Sequence, residues 1–238
     1  MSTAIVIPTY NEAENLPRMV EALFALPIDD LRILVMDDYS PDGTGQIAEE
    51  LGAGHSGKIR VIHRPGKMGL GSAYISGFKE LIKTDADYIV QMDADFSHPP
   101  EKVVEMIAAA ANADIVLGSR YVRGGRLDDE WPLWRKALSS FGNLYARTIL
   151  NGSVHDLTGG FRLWKREILA AMPLDRVRSN GYVFQVEMLY VAEKLGFKVV
   201  EIPIYFAERK FGESKMNLSI QLEAATRVWQ LRSRYRDL

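Results

Sequence analysis

Two carboxylates, Asp93 and Asp95, follow an apolar run and are separated by one residue. In extended backbone, alternate side chains point to the same side, so this spacing directs both carboxylates to one place. Divalent cations such as Mg²⁺ and Mn²⁺ prefer oxygen ligands and commonly share a site between one or two carboxylates and substrate phosphates. The alternative is a solvated turn with capping Asp residues, but the position at the end of an apolar run favours a metal site.

Other polar segments follow other apolar runs of the chain. "PTYNE" follows the first run, "DDYSPDGT" the second and "SRY" the run that ends near residue 118. Asp37 and Asp38 are adjacent carboxylates that repel each other, so we predict partners for them such as a ribose hydroxyl or a base edge of a nucleotide. Residues 40–44 have the chemistry of a turn and a helix start, with Thr44 as a cap.

Short runs rich in Val and Ile alternate with segments of helical period, which is typical of a parallel sheet covered by helices. One such helix carries an apolar stripe at Leu16, Met19, Val20, Leu23 and Phe24. The predicted strands are residues 4–8, 32–36, 58–62, 88–92, 114–118, 160–164 and 198–204. A polar loop at 122–132 and a helix at 133–150 interrupt the pattern, and further helices are predicted at 183–195 and from residue 218.

This pattern predicts an α/β fold with a mostly parallel sheet flanked by helices, an amphipathic insertion and a C-terminal helix. Because no Pro-, Gly- or Ser-rich linker divides the chain, we predict a single domain over residues 1–238. In open α/β sheets, ligands bind beyond the carboxyl ends of the strands. The polar segments described above should therefore meet at one edge of the sheet.

Composition excludes several classes of function. With 29 Lys and Arg against 31 Asp and Glu, the formal net charge is −2, which argues against electrostatic capture of nucleic acid. The absence of Cys excludes disulfides, thiolate zinc sites and cysteine nucleophiles. We find neither a basic leader nor an apolar run of ~20 residues, so we predict no signal peptide, no membrane span and a cytoplasmic location.

Three further features of the sequence do not indicate a functional site. The stretch "KMGLGSAYISGF" has neither Walker nor dinucleotide spacing, so Gly69, Gly71 and Gly77 are interpreted as turn and helix-packing residues. The four His residues lack metal-ligand spacing, and we assign none of them to catalysis. No Gly-x-Ser-x-Gly elbow indicates a hydrolase.

Taken together, an ordered set of motifs over residues 6–215 resembles the polyprenol (dolichol) phosphate mannose synthases, which are family 2 inverting glycosyltransferases with a GT-A fold. These motifs are "IPTYNE", "DDYSPDGT", "GLGSAYISGF", "MDADFSHPPE", "GSRYVRGG", "DLTGGFR", "GYVFQVE" and "RKFGESK". The resemblance implies transfer of mannose from GDP-mannose to the phosphate of a polyprenol, giving polyprenyl phosphate mannose and GDP.

The resemblance also implies roles for individual residues. The guanosine half of the donor would be held by Pro8, Tyr10, Glu12, Met36 and Asp38. The donor diphosphate and the Mg²⁺ or Mn²⁺ ion would be held by Asp93, Ala94 and Asp95, with Ser97 as a further metal ligand where some members have Gln. The donor diphosphate would also be covered by Arg209 and Lys215. The acceptor phosphate would be held by Arg120, Arg135 and Ser139, and Asp95, Arg120 and Arg135 would be the catalytic residues.

The implied acceptor is a lipid, so we expect peripheral contact with the cytoplasmic face of a membrane. Trp131, Trp134 and Phe141 lie near basic residues, and the chain ends in the basic segment "RVWQLRSRYRDL". Because members of the family occur with and without C-terminal transmembrane helices, a membrane-anchoring subunit is among the expected partners. Alternative interpretations are a glucosyl or aminoarabinosyl transferase to the same lipid, a sugar-phosphate nucleotidyltransferase and a regulatory nucleotide-binding module.

Overall fold

A computed structural model of the chain describes residues 1–207 and 218–238. Its main sheet has seven strands in the order β3-β2-β1-β4-β7-β5-β8, and β6 and β9 form a separate two-stranded sheet. The strands are β1 Ser2–Thr9, β2 Asp30–Asp37, β3 Ile59–His63, β4 Tyr88–Gln91, β5 Ile115–Ser119, β6 Arg126–Leu127, β7 Arg162–Lys165, β8 Val199–Pro203 and β9 Tyr205–Phe206. The predicted mostly parallel α/β sheet is confirmed, with strand ends shifted by at most two residues.

Helices cover both faces of the main sheet. They are α1 Asn15–Phe24, α2 Thr44–Gly54, α3 Leu70–Leu81, α4 Lys102–Ala109, α5 Leu133–Leu150, α6 Arg166–Ala171, α7 Gly181–Lys194 and α8 Leu218–Arg234. One face carries α1, α2 and α4, and the predicted stripe of α1 is buried there. The other face carries α3, α5, α7 and α8. Among the residues that the structure describes, no helix is both long enough and apolar enough to cross a bilayer.

The strand β7 runs antiparallel between β4 and β5, and every other pairing in the main sheet is parallel. Arg162, the first residue of β7, pairs with Gln91 at the end of β4 and with Leu117 near the end of β5. The loop that precedes β7 therefore reaches the same sheet edge as the loops that follow the parallel strands. The strand periodicity in the sequence does not reveal this reversal.

The carboxyl ends of the parallel strands meet as predicted. Thr9 pairs with Asp37 at the ends of β1 and β2, and Gln91 ends β4 beside β1. The small sheet formed by β6 and β9 brings the loop at 122–132 against the segment that follows β8. This loop leads directly into α5, so α5 starts close to the same edge.

Glycine in α3 allows close packing against the sheet. A Cβ atom on Gly77 would lie 2.5 Å from Val6 Cγ2 and 3.3 Å from Met36 Cγ. Gly71 has a similar restriction, because its Cβ would lie 2.5 Å from the Ser179 carbonyl oxygen. The interpretation of these glycines as packing residues is therefore confirmed.

We expect Gly77→Ala to lower the free energy of unfolding by about 1–3 kcal/mol, because the added methyl must displace β1 side chains in a packed core. Gly54→Ala in α2 is a matched control, since a Cβ there meets nothing within 4 Å. That control should leave stability unchanged or raise it by up to ~1 kcal/mol. Urea denaturation measures both values, and an unchanged midpoint for Gly77→Ala would contradict the packing argument.

Candidate active site

The turn after β2 is organised by Asp37. Its Oδ1 atom accepts hydrogen bonds from Thr9 Oγ1 at 3.1 Å and from Ser40 Oγ at 2.6 Å, and its Oδ2 atom accepts one from the Ser40 amide at 3.2 Å. The side chain is buried. Asp37 therefore fixes the end of β2 against the end of β1 instead of facing an open cleft.

Asp38 is also satisfied within the protein. It pairs with the buried Arg64 guanidinium, and its Oδ2 atom accepts hydrogen bonds from the amides of Met68 and Gly69 at 3.1 and 3.2 Å. The sequence argument that Asp37 and Asp38 need a nucleotide for partners is therefore wrong, because the protein itself supplies those partners. A contact between Asp38 and guanosine stays a prediction.

The other predicted guanosine contacts lie around the loop after β1, with one exception. The ammonium group of Lys67 lies 3.7 Å from the centre of the Tyr10 ring, and Glu12 Oε2 accepts a hydrogen bond from Asn15 Nδ2 at 2.8 Å. Pro8 lies near the end of β1 and is partly exposed. Met36 is fully buried against α3, so its side chain belongs to the core and only its backbone remains for a ligand.

The start of α2 is held by a residue other than the predicted one. Asp42 Oδ1 accepts hydrogen bonds from the Thr44 amide at 3.1 Å and from Thr44 Oγ1 at 2.5 Å, and Asp42 Oδ2 accepts one from the Ala13 amide. Thr44 is the first residue of α2, so the predicted cap is wrong: the N-cap is Gly43, and Asp42 binds the first turn from the position before it. This contact also fastens the loop after β1 to the loop after β2.

The segment after β4 presents its two carboxylates in fixed orientations. Asp93 Oδ1 accepts a hydrogen bond from Tyr74 Oη at 2.8 Å, and the Asp93 amide donates to His98 Nδ1 at 2.9 Å. Asp95 Oδ1 accepts hydrogen bonds from the amide and hydroxyl of Ser97 at 3.1 and 2.5 Å. Ala94, between the two carboxylates, is buried.

Tyr74 and His98 were not identified from the sequence. Burial, reinforced by the negative charge of Asp93, raises the pKa of Tyr74 well above its ordinary value, so this hydroxyl stays protonated and donates. His98 accepts through Nδ1, which places the ring proton of the neutral form on Nε2, and its ring stacks on Phe161 at 5.2 Å. Neither residue has a spacing signal, because Tyr74 binds a side chain that is distant in sequence and His98 binds a backbone amide.

These carboxylates suit a divalent cation that shares its ligands with a substrate. Among the described residues, no group of three or more His, Cys, Asp or Glu could hold a metal alone. Asp93 and Asp95 offer hard oxygen atoms on one turn, and the Ser97 hydroxyl donates to Asp95, which leaves the Ser97 lone pairs for a cation. Phosphate oxygens from a ligand would complete such a site.

On the other side of β7, Arg120 is bound to Asp156. The amide and Nε atoms of Arg120 donate to Asp156 Oδ2 at 2.9 and 2.7 Å, and Nη2 donates to Asp156 Oδ1 at 2.5 Å and to Thr158 Oγ1 at 2.7 Å. Burial alone would lower the pKa of Arg120, but the adjacent carboxylate raises it above the ordinary value. The remaining amino group, Nη1, makes no hydrogen bond to a described residue.

Ser139 is connected with Arg120 through Tyr121, and Arg135 is connected with it through Trp131 and Phe206. The Tyr121 hydroxyl donates to Ser139 Oγ at 2.7 Å, and the Tyr121 ring centre lies 5.3 Å from Arg120 Cζ. Arg135 stacks on Trp131, with its Cζ atom 3.6 Å from the ring centre. The structure therefore brings Arg120, Arg135 and Ser139 to one region, whereas Arg209 and Lys215 lie outside the described residues.

A buried cation that was missed from the sequence lies beneath this region. Arg162 is fully buried and donates through Nη2 to the Leu157 carbonyl at 3.1 Å, but Nε and Nη1 have no partner among the described residues. Burial lowers its pKa to about 9, while the Asp156 carboxylate opposes that shift, so the group remains charged at neutral pH. A single Arg in an apolar strand gives no sequence signal of such a role.

The buried carboxylate Glu187 connects α7 with the C-terminal helix. It accepts hydrogen bonds from the Ser179 amide at 2.8 Å, from the Arg234 guanidinium at 2.8 Å and from the Tyr235 hydroxyl at 2.9 Å. Ser179 in turn lies against Gly71 beside the donor-side loop. Glu187 and Asp156 are therefore both engaged in structural contacts.

The fold is that of the GT-A glycosyltransferases, and the chain belongs to glycosyl transferase family 2, whose model matches residues 4–172. The polyprenol monophosphomannose synthase of Mycolicibacterium smegmatis is 44% identical over 98% of this chain and 88% of its own length. The undecaprenyl-phosphate mannosyltransferase of Micrococcus luteus is also 44% identical, over 100% of this chain and 98% of its own.

Solved structures of more distant proteins share the fold. Mannosyl-3-phosphoglycerate synthase from Rubrobacter xylanophilus matches 100% of this chain and 75% of its own with a TM-score of 0.68 at 20% identity. Glucosyl-3-phosphoglycerate synthase from Mycobacterium tuberculosis, in complex with Mn²⁺, UDP-glucose and phosphoglyceric acid, matches 98% and 79% with a TM-score of 0.66 at 20% identity. At this identity the likeness establishes the GT-A fold of the chain.

We expect Arg120→Met to lower the free energy of unfolding by about 3–5 kcal/mol, because it leaves the Asp156 carboxylate buried without its cation. The double variant Arg120→Met, Asp156→Leu should recover much of that loss, since neither charge then remains buried. Chemical denaturation of the wild type, both single variants and the double variant gives the coupling energy of the pair. Additive effects would show that the two side chains do not depend on each other.

Proposed function

We propose that this glycosyltransferase transfers mannose from GDP-mannose to the phosphate of a polyprenol with inversion, giving polyprenyl phosphate mannose and GDP. The main support is the 44% sequence identity, over nearly the full length of the chain, to two enzymes whose names specify mannosyl transfer to a polyprenol phosphate. The site agrees with this chemistry, since carboxylates lie on one side of β7 and arginines on the other. An acidic side suits a metal-bound diphosphate, and a cationic side suits an acceptor phosphate.

On the donor side, Asp93 and Asp95, with Ser97, would hold Mg²⁺ or Mn²⁺ against the donor diphosphate. When bound, the ion supplies Lewis-acid stabilisation of the negative charge that develops on the leaving GDP. Tyr74 and Ser97 orient the two carboxylates through the hydrogen bonds described above. We propose the guanosine contacts of Pro8, Tyr10, Glu12, Met36 and Asp38, and the closure by Arg209 and Lys215, on the family resemblance.

On the acceptor side, the nucleophile needs no general base. A phosphate monoester has a second pKa of about 6, so it is largely a dianion at pH 7. Its oxygen forms the new bond to the anomeric carbon while the bond from that carbon to the GDP oxygen breaks, and attack from the opposite face inverts the configuration. Arg120, Arg135 and Ser139 hold this dianion. Asp156 and Glu187 are already bound to other groups of the protein, which agrees with a mechanism that uses no general base.

The exposed apolar side chains of α5 support peripheral contact with a membrane. Leu133, Trp134, Phe141 and Leu144 are all more than 60% exposed, which is an unusual apolar surface for a helix beside a site. Trp131 is buried instead, against Phe206, so its predicted membrane contact is wrong. We propose that α5 lies on the cytoplasmic face of a membrane. We also propose that the chain forms a single domain and that a membrane-anchoring subunit is one of its partners.

Donor choice is the first test of this function. The protein would be incubated with a short-chain polyprenyl phosphate and either GDP-mannose or UDP-glucose, and the released nucleotide and the lipid product would be measured. We expect release of GDP that depends on the acceptor, and a product with the configuration opposite to that of the donor. Preferential release of UDP would support the glucosyl alternative.

We expect Asp95→Ala to abolish transfer without unfolding the protein, because it removes a carboxylate of the proposed metal site. Asp175→Ala is a matched control, since Asp175 is an exposed residue paired with Lys79 on another part of the molecule. Transfer rates would be measured over a range of Mg²⁺ and Mn²⁺ concentrations, with circular dichroism as the check on folding. Full activity of Asp95→Ala in the presence of chelator would exclude the metal assignment.

We expect Arg120→Lys to raise KM for the acceptor by at least tenfold while GDP binding changes little. Lysine can keep the ion pair with Asp156 but cannot at the same time direct a second planar N–H group at phosphate. Steady-state kinetics and GDP titration separate the two effects. In contrast, if Asp156→Asn lost all transfer while still binding both substrates, a base-catalysed mechanism would be the better interpretation.

We expect the double variant Trp134→Ser, Phe141→Ser to lose most binding to anionic vesicles, because both rings are exposed on α5. Tyr39→Ser removes an aromatic ring that is 72% exposed in the loop after β2, and this variant should bind vesicles as the wild type does. Vesicle co-sedimentation at low salt measures all three. Equal loss in both variants, or in neither, would argue against α5 as the membrane-facing helix.

A further inference from the structure

A cleft of about 590 Å³ lies between the ends of α5 and α7 and the side of α8. The cleft is lined by Asn151 after α5, by Tyr190 and Lys194 of α7, by Trp229 and Arg232 of α8 and by Arg236 in the turn after α8, among others. Nothing in the proposed transfer reaction uses these residues. We call this group the basic cleft.

The basic cleft concentrates positive charge. Lys194, Arg232 and Arg236 line it, and none of the described lining residues is Asp or Glu. The acidic side chains next to these residues in sequence make their hydrogen bonds to other groups, and Lys194 contributes only the weakest of the interactions that lower the pKa of Asp237. Asp237 accepts two hydrogen bonds from Arg176 at 2.8 Å, and Glu193 Oε1 accepts hydrogen bonds from the amide and hydroxyl of Ser153.

A purely structural role does not account for all three cations. Helix carboxyl ends attract cations, and Arg232 Nη1 donates to the Ile149 carbonyl at 3.4 Å. That contact uses one of the five N–H donors of the guanidinium. Lys194 and Arg236 make no ion pair with a described residue, and the three cations repel one another because they line the same cleft. A bound anion would remove this repulsion.

The basic cleft is separate from the catalytic edge. The amino end of α7 lies beside that edge, where Ser179 and Asn180 contact Gly71 and Gly69. Lys194 is the last of the 14 residues of α7, which places it about 20 Å along the helix from that point. The acceptor phosphate and an anion in the basic cleft would therefore occupy different sites.

Aromatic side chains connect the basic cleft with the exposed face of α5. Trp229 is 55% exposed, and its Nε1 atom donates to the Tyr145 hydroxyl at 3.1 Å. The Tyr145 ring centre lies 6.2 Å from that of Phe141, which belongs to the exposed apolar surface of α5. Trp and Tyr next to Arg and Lys are characteristic of the boundary between lipid tails and headgroups.

We propose that the basic cleft binds the phosphate group of an anionic phospholipid while α5 lies on the membrane. This goes beyond the proposed transfer reaction, and it rests on that proposal only in taking the α5 surface as membrane-facing. Arg232 and Arg236 present planar donors that match two phosphate oxygens, and Lys194 adds charge from the opposite helix. The lipid bound here is neither acceptor nor product.

The test measures co-sedimentation of the full chain with phosphatidylcholine vesicles that contain or lack phosphatidylglycerol. We expect Arg232→Gln, Arg236→Gln to lose about 30-fold in affinity for the anionic vesicles, since each cation near such a surface contributes about 1 kcal/mol. The control Arg18→Gln, Lys102→Gln makes the same charge change on α1 and α4, on the other face of the sheet, and should bind as the wild type does.

A charge-preserving variant separates a built site from diffuse attraction. Arg232→Lys, Arg236→Lys keeps both charges but loses the planar donors, so we expect a loss of affinity between those of the wild type and the Gln variant. Wild-type affinity in this variant, or equal losses in the Gln variant and its control, would overturn the proposal. Inorganic phosphate in place of vesicles, followed by Trp229 fluorescence against Trp229→Phe, distinguishes a soluble anion. Tight phosphate binding without a vesicle effect would also overturn it.

The two proposals fail in distinguishable ways. Transfer to a short, water-soluble polyprenyl phosphate needs no membrane, so the Gln variant should retain wild-type rates in that assay. Absence of transfer by the wild type would refute the proposed function and leave the vesicle result standing. Transfer with unaltered vesicle binding by the Gln variant would refute the basic cleft alone.

Discussion

Crowding of negative charge at one edge of the sheet is the constraint on which the rest of the structure depends. Asp37, Asp38, Asp95 and Asp156 are all buried in or beside the loops at this edge. Buried carboxylates destabilise a fold unless each has hydrogen-bond donors or a cation. The protein supplies Thr9 and Ser40, Arg64, Ser97 and Arg120 in turn. The contacts from Thr9, Arg64 and Arg120 link segments that are distant in sequence, whereas those from Ser40 and Ser97 are made within one turn.

The same compensation divides the site into two halves. Carboxylates held by neutral hydroxyl groups, as in the segment at 93–97, keep their negative charge available for a cation. The Asp156 carboxylate instead neutralises Arg120 while leaving one amino group of that guanidinium unused by described residues. Arg162 adds a buried positive charge between the halves, close to both Asp156 and Tyr74. A diphosphate bound beside residues 93–97 and a phosphate bound beside Arg120 would therefore have opposite surroundings.

Sequence reasoning succeeded where a local pattern determines the structure. The helices at 133–150 and from Leu218 begin where their periodicity begins, and the polar segments do follow the strands. It failed where the partner of a residue comes from another part of the chain. Asp38 was interpreted as a ligand-binding residue. Its actual partners, Arg64 and the amides of residues 68 and 69, are 26 or more residues away in sequence, and no local pattern indicates them. Trp131 looked exposed, and the roles of Tyr74, His98 and Arg162 gave no signal, for the same reason.

The reversed strand β7 has a consequence for how the chain folds during synthesis. Gln91 ends β4, and its partner Arg162 is made 71 residues later (162 − 91). At about 5–20 residues per second, the ribosome needs roughly 4–14 s to produce that interval. Until then β4, which is fully buried in the finished sheet, has one unpaired edge, and β5, which is made during this interval, has neither of its neighbours β7 and β8. Unpaired edges of this kind promote aggregation. We therefore expect nascent chains that end between residues 91 and 162 to bind chaperones that shield exposed strand edges.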